Sequence, residues 1–138
     1  MGKRRKSREF ALQCLYELDV HGQPAAAPDF TEFWERHPAA PEVCEFTEEL
    51  VRGTREHRQK IDELIAQYTE HWSPDRMAVV DRNILRQSIF ELLWLSDVPA
   101  KVVINEALEV AKRFSTQDSG RFINGILDRI RKECRPDL

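Results

Sequence analysis

The fold is decided most clearly by residues 102–130, which read VVINEALEVAKRFSTQDSGRFINGILDRI. Apolar residues recur in this segment at intervals of three and four, the spacing that places them on one face of an α-helix. No useful length of the chain alternates with the period of two that a strand requires. A polar turn from Ser115 to Gly120 divides the segment into two helices. The inward positions are predicted to be Val103, Ala107, Leu108 and Ala111 on the first helix and Phe122, Ile123, Ile126, Leu127 and Ile130 on the second.

The same periodicity continues toward the N-terminus and predicts about five further helices. Ser7 is the predicted N-cap of the first of them, and the Ser73–Pro74 pair is a strong helix start. Gly53 and the polar residues after it either bend one long helix or split it in two. The apolar stripes of these helices are Phe10, Cys14, Leu15 and Leu18; Phe30, Phe33 and Trp34; Val43, Phe46, Leu50 and Val51; Ile61, Leu64, Ile65 and Tyr68; and Val80, Ile84 and Leu85.

These elements predict an all-α fold of about seven helices in one domain, residues 1–138. A linker rich in Pro, Ala and Gly at 21–28 and the helix start at Ser73 indicate two helical halves, about 1–72 and 73–138. Neither half has an obvious core without the other. A chain of 138 residues also suits one compact domain rather than two.

The charge is divided unevenly along the chain. There are 21 Lys and Arg residues against 24 Asp and Glu residues, a formal net charge of −3. Residues 1–8 contain five of the basic residues and no acidic one, which leaves 16 basic and 24 acidic residues, or −8, for the rest. This asymmetry predicts a local contact with a polyanion rather than a generally basic nucleic-acid coat. We call these five residues the basic head: Lys3, Arg4, Arg5, Lys6 and Arg8.

The basic head runs directly into the first predicted helix, where the helix dipole already places partial positive charge. We therefore do not expect it to serve helix stability. Cationic side chains release counterions from phosphates, and arginine also stacks on unpaired bases. The alternative is a disordered solubilising tail, because short Lys/Arg runs give many false positives.

Patterns of catalysis, metal binding and cofactor binding are missing from the sequence. No glycine-rich phosphate loop, nucleophile elbow or H-E-x-x-H motif occurs. The histidines are too far apart in sequence to suggest a metal site and are expected on the solvated surface: His21, His37, His57 and His71. We therefore expect no enzyme activity, no metal and no cofactor.

The compartment is predicted from the cysteines and the hydropathy. Cys14, Cys44 and Cys134 form no C-x-x-C pair, which favours a reducing compartment. Cys14 is expected to be a small buried side chain on the first helix. No stretch approaches the roughly 18 apolar residues of a membrane span. The sequence predicts a cytoplasmic protein without membrane contact.

Two groups of motifs resemble the NusB family of bacterial transcription antitermination factors. Residues 8–16, REFALQCLY, are similar to the opening signature of the family. The C-terminal motifs are more specific: DRNILR at 81–86, SDVP at 96–99, VVINEA at 102–107 and DSGRFINGILD at 118–128. They keep the order and spacing of the family, and the resemblance covers nearly the whole chain except residues 20–42.

The resemblance implies an all-α fold of two small helical bundles with no catalytic activity. It implies binding to the single-stranded boxA element of nascent ribosomal RNA transcripts. It also implies a heterodimer with NusE, a protein of the small ribosomal subunit. The pair is expected to join an elongating RNA polymerase with other Nus factors and suppress termination.

Carried onto matching positions, the resemblance also implies the binding residues. The NusE surface is expected to include Asp81, Arg82 and Arg86, for which the alternative is an ordinary solvated helix face. Asp118 would accept hydrogen bonds from base edges or restrain affinity by repelling phosphate; its alternative is a favourable charge in the first helical turn. For Phe122, the alternative to RNA binding is an aromatic side chain in the core. The expected RNA-binding residues are Arg4, Arg5, Lys6, Arg8, Tyr16, Asp118 and Phe122.

Two other functions remain open at this point. The N-terminal domain of RsmB-type ribosomal RNA methyltransferases resembles NusB and precedes a catalytic domain. This sequence contains no βαβ region or glycine fingerprint for S-adenosylmethionine. The third possibility is a pure protein-interaction module whose basic head is only a tail, forming a homodimer that buries the RNA face.

Overall fold

The computed structural model describes residues 2–22, 29–69 and 76–135. Within these ranges the chain forms seven helices and no strand, which confirms the predicted all-α fold. The helices are α1 (Lys3–Val20), α2 (Phe30–Arg36), α3 (Pro41–Glu56), α4 (Arg58–Thr69), α5 (Val79–Trp94), α6 (Ala100–Phe114) and α7 (Gln117–Cys134).

Helix α5 is the centre of the architecture. It packs against α1, α3 and α4 from the first predicted half and against α6 and α7 from the second. Its residues Leu85, Ile89 and Leu92 are fully buried, as expected for a helix that is apolar on several faces. The buried hydrophobic side chains form one cluster that extends through both halves. The halves therefore share a core, because each needs α5 to cover its apolar face.

The start of the first helix differs from the prediction. Helix α1 begins at Lys3, after Gly2, so the basic head forms its first two turns. Ser7 is not a cap but a buried residue inside the helix, where its hydroxyl donates to the carbonyl oxygen of Val43 at 3.0 Å. Tertiary contacts therefore replace the local capping bond that the sequence pattern predicts.

Other helix boundaries lie closer to their predicted positions. The segment after Gly53 is split, because α3 ends at Glu56 and α4 begins two residues later. The turn before α7 is shorter than predicted, since the Thr116 hydroxyl already accepts from the N–H of Ser119 and caps that helix. The predicted start at Ser73–Pro74 lies outside the described residues, and α5 begins at Val79.

Two of the four histidines pack against aromatic rings. The ring of His37 lies 4.7 Å from that of Phe33, and His57 stacks on Trp94 at 4.3 Å. Both histidines are half-buried against these rings and so are only partly solvated, whereas His21 is exposed as expected and His71 lies outside the described residues. Cys14 is buried as predicted, and its burial raises the pKa of the thiol to about 12. In the described part of the chain, no helix is both long and apolar enough to cross a bilayer.

Gly125 interrupts the regular apolar pattern of the last helix, and a glycine in such a position usually allows a neighbouring helix to approach closely. In the structure this close contact occurs at Gly53 instead. A Cβ at Gly125 would have no other heavy atom within 4 Å. A Cβ at Gly53 would overlap the ring of Phe90 on α5. The α3–α5 contact therefore requires a glycine, whereas the glycine in α7 does not face a neighbouring helix.

We expect Gly53→Ala to lower the free energy of unfolding by about 1–3 kcal/mol, because the new methyl group displaces a buried ring in a packed core. The matched control is Gly125→Ala, which should gain about 0.5–1 kcal/mol from the higher helix propensity of alanine. Urea unfolding followed by circular dichroism measures both changes. Equal stability of the two variants would contradict the packing described here.

Candidate nucleic-acid interface

The basic head is ordered by carboxylates from other helices. The first turn of α1 has no acidic residue and no side-chain cap, so its own local interactions do not offset the unfavourable dipole. Lys3 pairs with Glu42 of α3 at 3.2 Å, and Arg5 pairs with Glu106 of α6 at 2.6 Å. The alternative of a disordered tail is therefore wrong, since ion pairs to other helices hold the basic head against the rest of the fold.

Arg8 is the most deeply placed member of the basic head. Its Nη2 lies 2.7 Å and its Nε 2.9 Å from the two carboxylate oxygens of Glu91 on α5. The side chains are only 5% and 2% exposed. A buried arginine held by two bonds to a carboxylate is engaged within the protein. Tyr16 lies two turns after Arg8 on α1, but only Tyr16 is exposed, so the two side chains do not form one accessible face.

Arg5 is more accessible than Arg8 but is also bound to a carboxylate. Its guanidinium binds Glu106 through Nε at 3.1 Å and Nη2 at 2.6 Å, yet its side chain is 37% exposed. The hydrogen bond to Glu106 raises the pKa of Arg5, and the same bond lowers the pKa of Glu106. Arg5 also borders a shallow surface depression with Lys112 and Arg113. Cations of α1 and α6 therefore meet here, together with the carboxylates of Glu9 and Glu109, which line the same depression.

Arg4 and Lys6 are exposed cations of the basic head; Lys3 is exposed as well but pairs with Glu42. The Arg4 guanidinium lies 4.0 Å from the ring centroid of Phe46, and the Lys6 ammonium lies 5.1 Å from that of Phe10. Both side chains are exposed, and neither forms an ion pair with a carboxylate among the described residues. Aromatic faces thus hold these cations without neutralising them.

Two exposed aromatic side chains lie in neighbouring grooves. Tyr16 of α1 is 41% exposed and Phe122 of α7 is 37% exposed, so the core alternative for Phe122 is wrong. Both grooves border the start of α5, because Val80 lines the first and Ala78 the second. Asp118 lines the Phe122 groove from the first turn of α7, and its side chain is almost fully exposed. Apolar ring surface is therefore available on both sides of this helix end.

The residues predicted to bind NusE are engaged inside the protein. Asp81 is buried and accepts hydrogen bonds from the hydroxyls of Ser115 and Ser119 at 2.6 and 2.7 Å. Arg82 binds Asp19 through two bonds of 2.7 Å. Asp81 and Arg82 therefore do not form a solvated helix face. Their contact with a partner stays a prediction.

Arg86 joins three helices through two carboxylates. Its Nη1 lies 3.0 Å from Asp19 of α1, and its Nε lies 2.8 Å from Asp62 of α4. Its side chain is buried. Its contact with NusE likewise stays a prediction.

Asp19 should make stability depend on pH in the acid range. Burial opposes its ionisation, but hydrogen bonds from Arg82 and Asn83 and the charges of Arg82 and Arg86 outweigh this and lower its pKa to about 2. The stabilisation is present above the unfolded pKa near 4 and is lost as the pH falls toward 2, an effect of about 2 kcal/mol. Urea unfolding between pH 5 and 2 should show this loss. Asp19→Asn should flatten the curve, and an unchanged slope would contradict the assignment.

Sequence reasoning missed the two carboxylates that organise the basic head. Glu91 stands within the apolar run of α5, and a charge at a buried position requires a partner. That position was the available signal for a buried arginine–carboxylate pair. Glu106 gave no comparable signal, because a glutamate on an amphipathic helix is ordinarily solvated.

The comparisons with known proteins agree on one family. The NusB family model matches residues 5–132. The transcription antitermination protein NusB of Geobacter sulfurreducens is 51% identical over 130 residues, which are 94% of this chain and 94% of that protein. The protein of the same name from Thermodesulfovibrio yellowstonii is 45% identical in an alignment of 140 positions that covers 95% of this chain and 93% of that protein.

Solved structures give the same result. NusB of T. maritima has a TM-score of 0.84 and 39% identity, with 97% of this chain and 94% of that chain covered. A crystal structure of the antitermination factors NusB and NusE in complex with dsRNA has a TM-score of 0.81 and 28% identity, with 96% and 98% covered. Family model, sequence relatives and fold agree over nearly the full length, and the chain therefore belongs to the NusB family.

Proposed function

We propose that this protein is a non-catalytic transcription antitermination factor of the cytoplasm. It binds the boxA element of nascent ribosomal RNA transcripts together with NusE, and the pair joins the elongating RNA polymerase with other Nus factors. The observation that carries the proposal is the combination of accessible cations on α1, Arg4 and Lys6, with exposed rings at Tyr16 and Phe122.

The surface has the two components that single-stranded RNA recognition uses. Arg4 and Lys6 can neutralise backbone phosphates, which supplies salt-dependent affinity. Tyr16 and Phe122 offer faces on which unpaired bases stack. Asp118 accepts hydrogen bonds from base edges. The acidic remainder of the chain, at −8, discourages binding of RNA elsewhere on the protein.

The NusE contact is proposed at the start of α5, next to both grooves. In this arrangement Asp81 and Arg82 fix the elements around the contact surface in place. Asp81 does so through its bonds to Ser115 and Ser119, and Arg82 through its bonds to Asp19. The antitermination factor is favoured over a methyltransferase domain, because the two relatives named above are antitermination proteins matched over 93–94% of their own length. A homodimer that buries the RNA face would show itself as RNA binding that weakens with protein concentration.

The test is a titration of labelled RNA across a salt series, with and without NusE. We expect micromolar or tighter binding of single-stranded boxA RNA, strengthened by NusE. Arg4→Ala/Lys6→Ala should bind more weakly at low salt, and its salt slope should be shallower by about 1.4, since each phosphate contact on a single strand contributes about 0.7. The matched control is Arg52→Ala/Lys60→Ala, which removes two exposed cations on α3 and α4.

Three outcomes would contradict the proposal. Equal affinity of the wild type and Arg4→Ala/Lys6→Ala at low salt would remove these cations from the interface. Equal affinity for boxA and scrambled RNA in the presence of NusE would remove the sequence specificity. Preference for a duplex over the single strand would contradict the assigned form of the RNA.

A further inference from the structure

The strongest unexplained feature of the interface is the carboxylate of Glu106. It accepts two hydrogen bonds from Arg5 and lies 3.4 Å from Nη1 of Arg8. Its side chain is only 15% exposed, whereas that of Arg5 is 37% exposed. The carboxylate of Glu106 thus occupies the bidentate position on the Arg5 guanidinium that a phosphate of RNA would take.

We propose that Glu106 is a positioning residue that determines RNA specificity by competing with phosphate for Arg5. The proposal rests on the RNA binding proposed above. Arg5 remains folded onto α6 until an RNA that is already held by other contacts offers a phosphate in place of Glu106. RNA that binds through loose charge contacts alone does not displace the carboxylate.

Glu91 cannot have this function, because its pair with Arg8 is fully buried. Breaking that pair would expose two desolvated charges at large cost. Arg5, by contrast, can rotate outward from α1 while Arg8 keeps its bonds to Glu91. Only the outer of the two arginine–glutamate pairs is therefore exchangeable.

Among the three cations that border the surface depression, Arg5, Lys112 and Arg113, Arg5 is the least available to a phosphate. Glu9 already pairs with Arg113 at 2.7 Å, and Glu109 pairs with Lys112 at 3.5 Å. Arg113 and Lys112 are both largely exposed despite these bonds. Of these three cations, Arg5 is the one held by two hydrogen bonds to its carboxylate, so Arg5 must lose its partner before it can bind phosphate in the same way.

The experiment compares Glu106→Gln with the wild type on a uridine oligomer and on boxA RNA of equal length. Glu106→Gln should bind the uridine oligomer about fivefold more tightly at low salt, as expected for the net gain of one added hydrogen bond. Its salt slope on that RNA should steepen by about 0.7, which is one further phosphate. The slope on boxA RNA should stay unchanged, because Arg5 already contacts phosphate in that complex.

Two controls separate release of Arg5 from a simple change of charge. Glu109→Gln removes a nearby negative charge without freeing Arg5. Its partner Lys112 is already largely exposed in the wild type, so the salt slope on the uridine oligomer should not change. In an Arg5→Ala background, Glu106→Gln should give no more gain than Glu109→Gln. Thermal unfolding checks the fold, and Glu106→Asp, which keeps the charge but is too short to hold both nitrogens, serves if Glu106→Gln is unstable.

The proposal is overturned if Glu106→Gln matches Glu109→Gln on the uridine oligomer, if it binds more weakly than the wild type, or if its gain persists without Arg5. Failure of the wild type to bind boxA RNA would instead refute the proposed function. The uridine comparison still decides whether Glu106 restrains Arg5 in that case.

Discussion

An Arg8→Ala variant is expected to lose about 3–5 kcal/mol of folding free energy, because it leaves the Glu91 carboxylate buried without its partner. The bidentate pair joins α1 to α5, the helix on which both halves of the core depend. Removing both charges should cost less, so Arg8→Leu/Glu91→Leu should recover most of the lost stability. Urea unfolding at neutral pH measures all three proteins.

The matched control for this variant is Arg4→Ala, one turn earlier on α1. Arg4 lies exposed above the ring of Phe46, so its removal should change stability by less than about 1 kcal/mol. Full stability of Arg8→Ala together with weakened RNA binding would contradict this assignment. That result would restore the expectation from the sequence, in which Arg8 contacts phosphate directly.

The comparison of Arg4 with Arg8 shows where sequence reasoning reached its limit. The run of five basic residues drew attention to one region, and the period of three and four correctly predicted the helices around it. The run could not reveal which cations are free, because that depends on Glu91 and Glu106, 83 and 101 residues further along the chain. Helix propensity and the dipole argument describe only local interactions, and here tertiary ion pairs override them.

The same limit explains why the close helix contact was predicted at Gly125 but occurs at Gly53. Gly125 attracted attention because it interrupts a regular helix pattern, but its site faces open space. Gly53, in a polar segment, is the position that another helix approaches. Periodicity indicates which face of a helix is apolar. It does not indicate which neighbour fills that face, so close approach can be assigned only after the helices are packed.

The largest loss of RNA affinity is expected from Tyr16→Ala/Phe122→Ala, which removes both exposed rings. Stacking of one base on an aromatic ring contributes about 1–3 kcal/mol, so the double variant should bind boxA RNA about thirtyfold more weakly or worse. Both rings are substantially exposed, so the fold should be preserved. Titration of labelled RNA at fixed salt, with thermal unfolding as the check on folding, measures the effect.

The salt dependence distinguishes stacking from a charge effect. Tyr16→Ala/Phe122→Ala removes no charge, so its affinity should fall with an unchanged salt slope, whereas Arg4→Ala/Lys6→Ala should reduce the slope. Phe122→Tyr is the conservative control and should keep most of the affinity, because a tyrosine ring also stacks. Phe122→Leu keeps apolar volume without the flat ring and should not. If Phe122→Leu binds as tightly as the wild type, Phe122 contributes apolar area alone, and the stacking of bases at this groove is refuted.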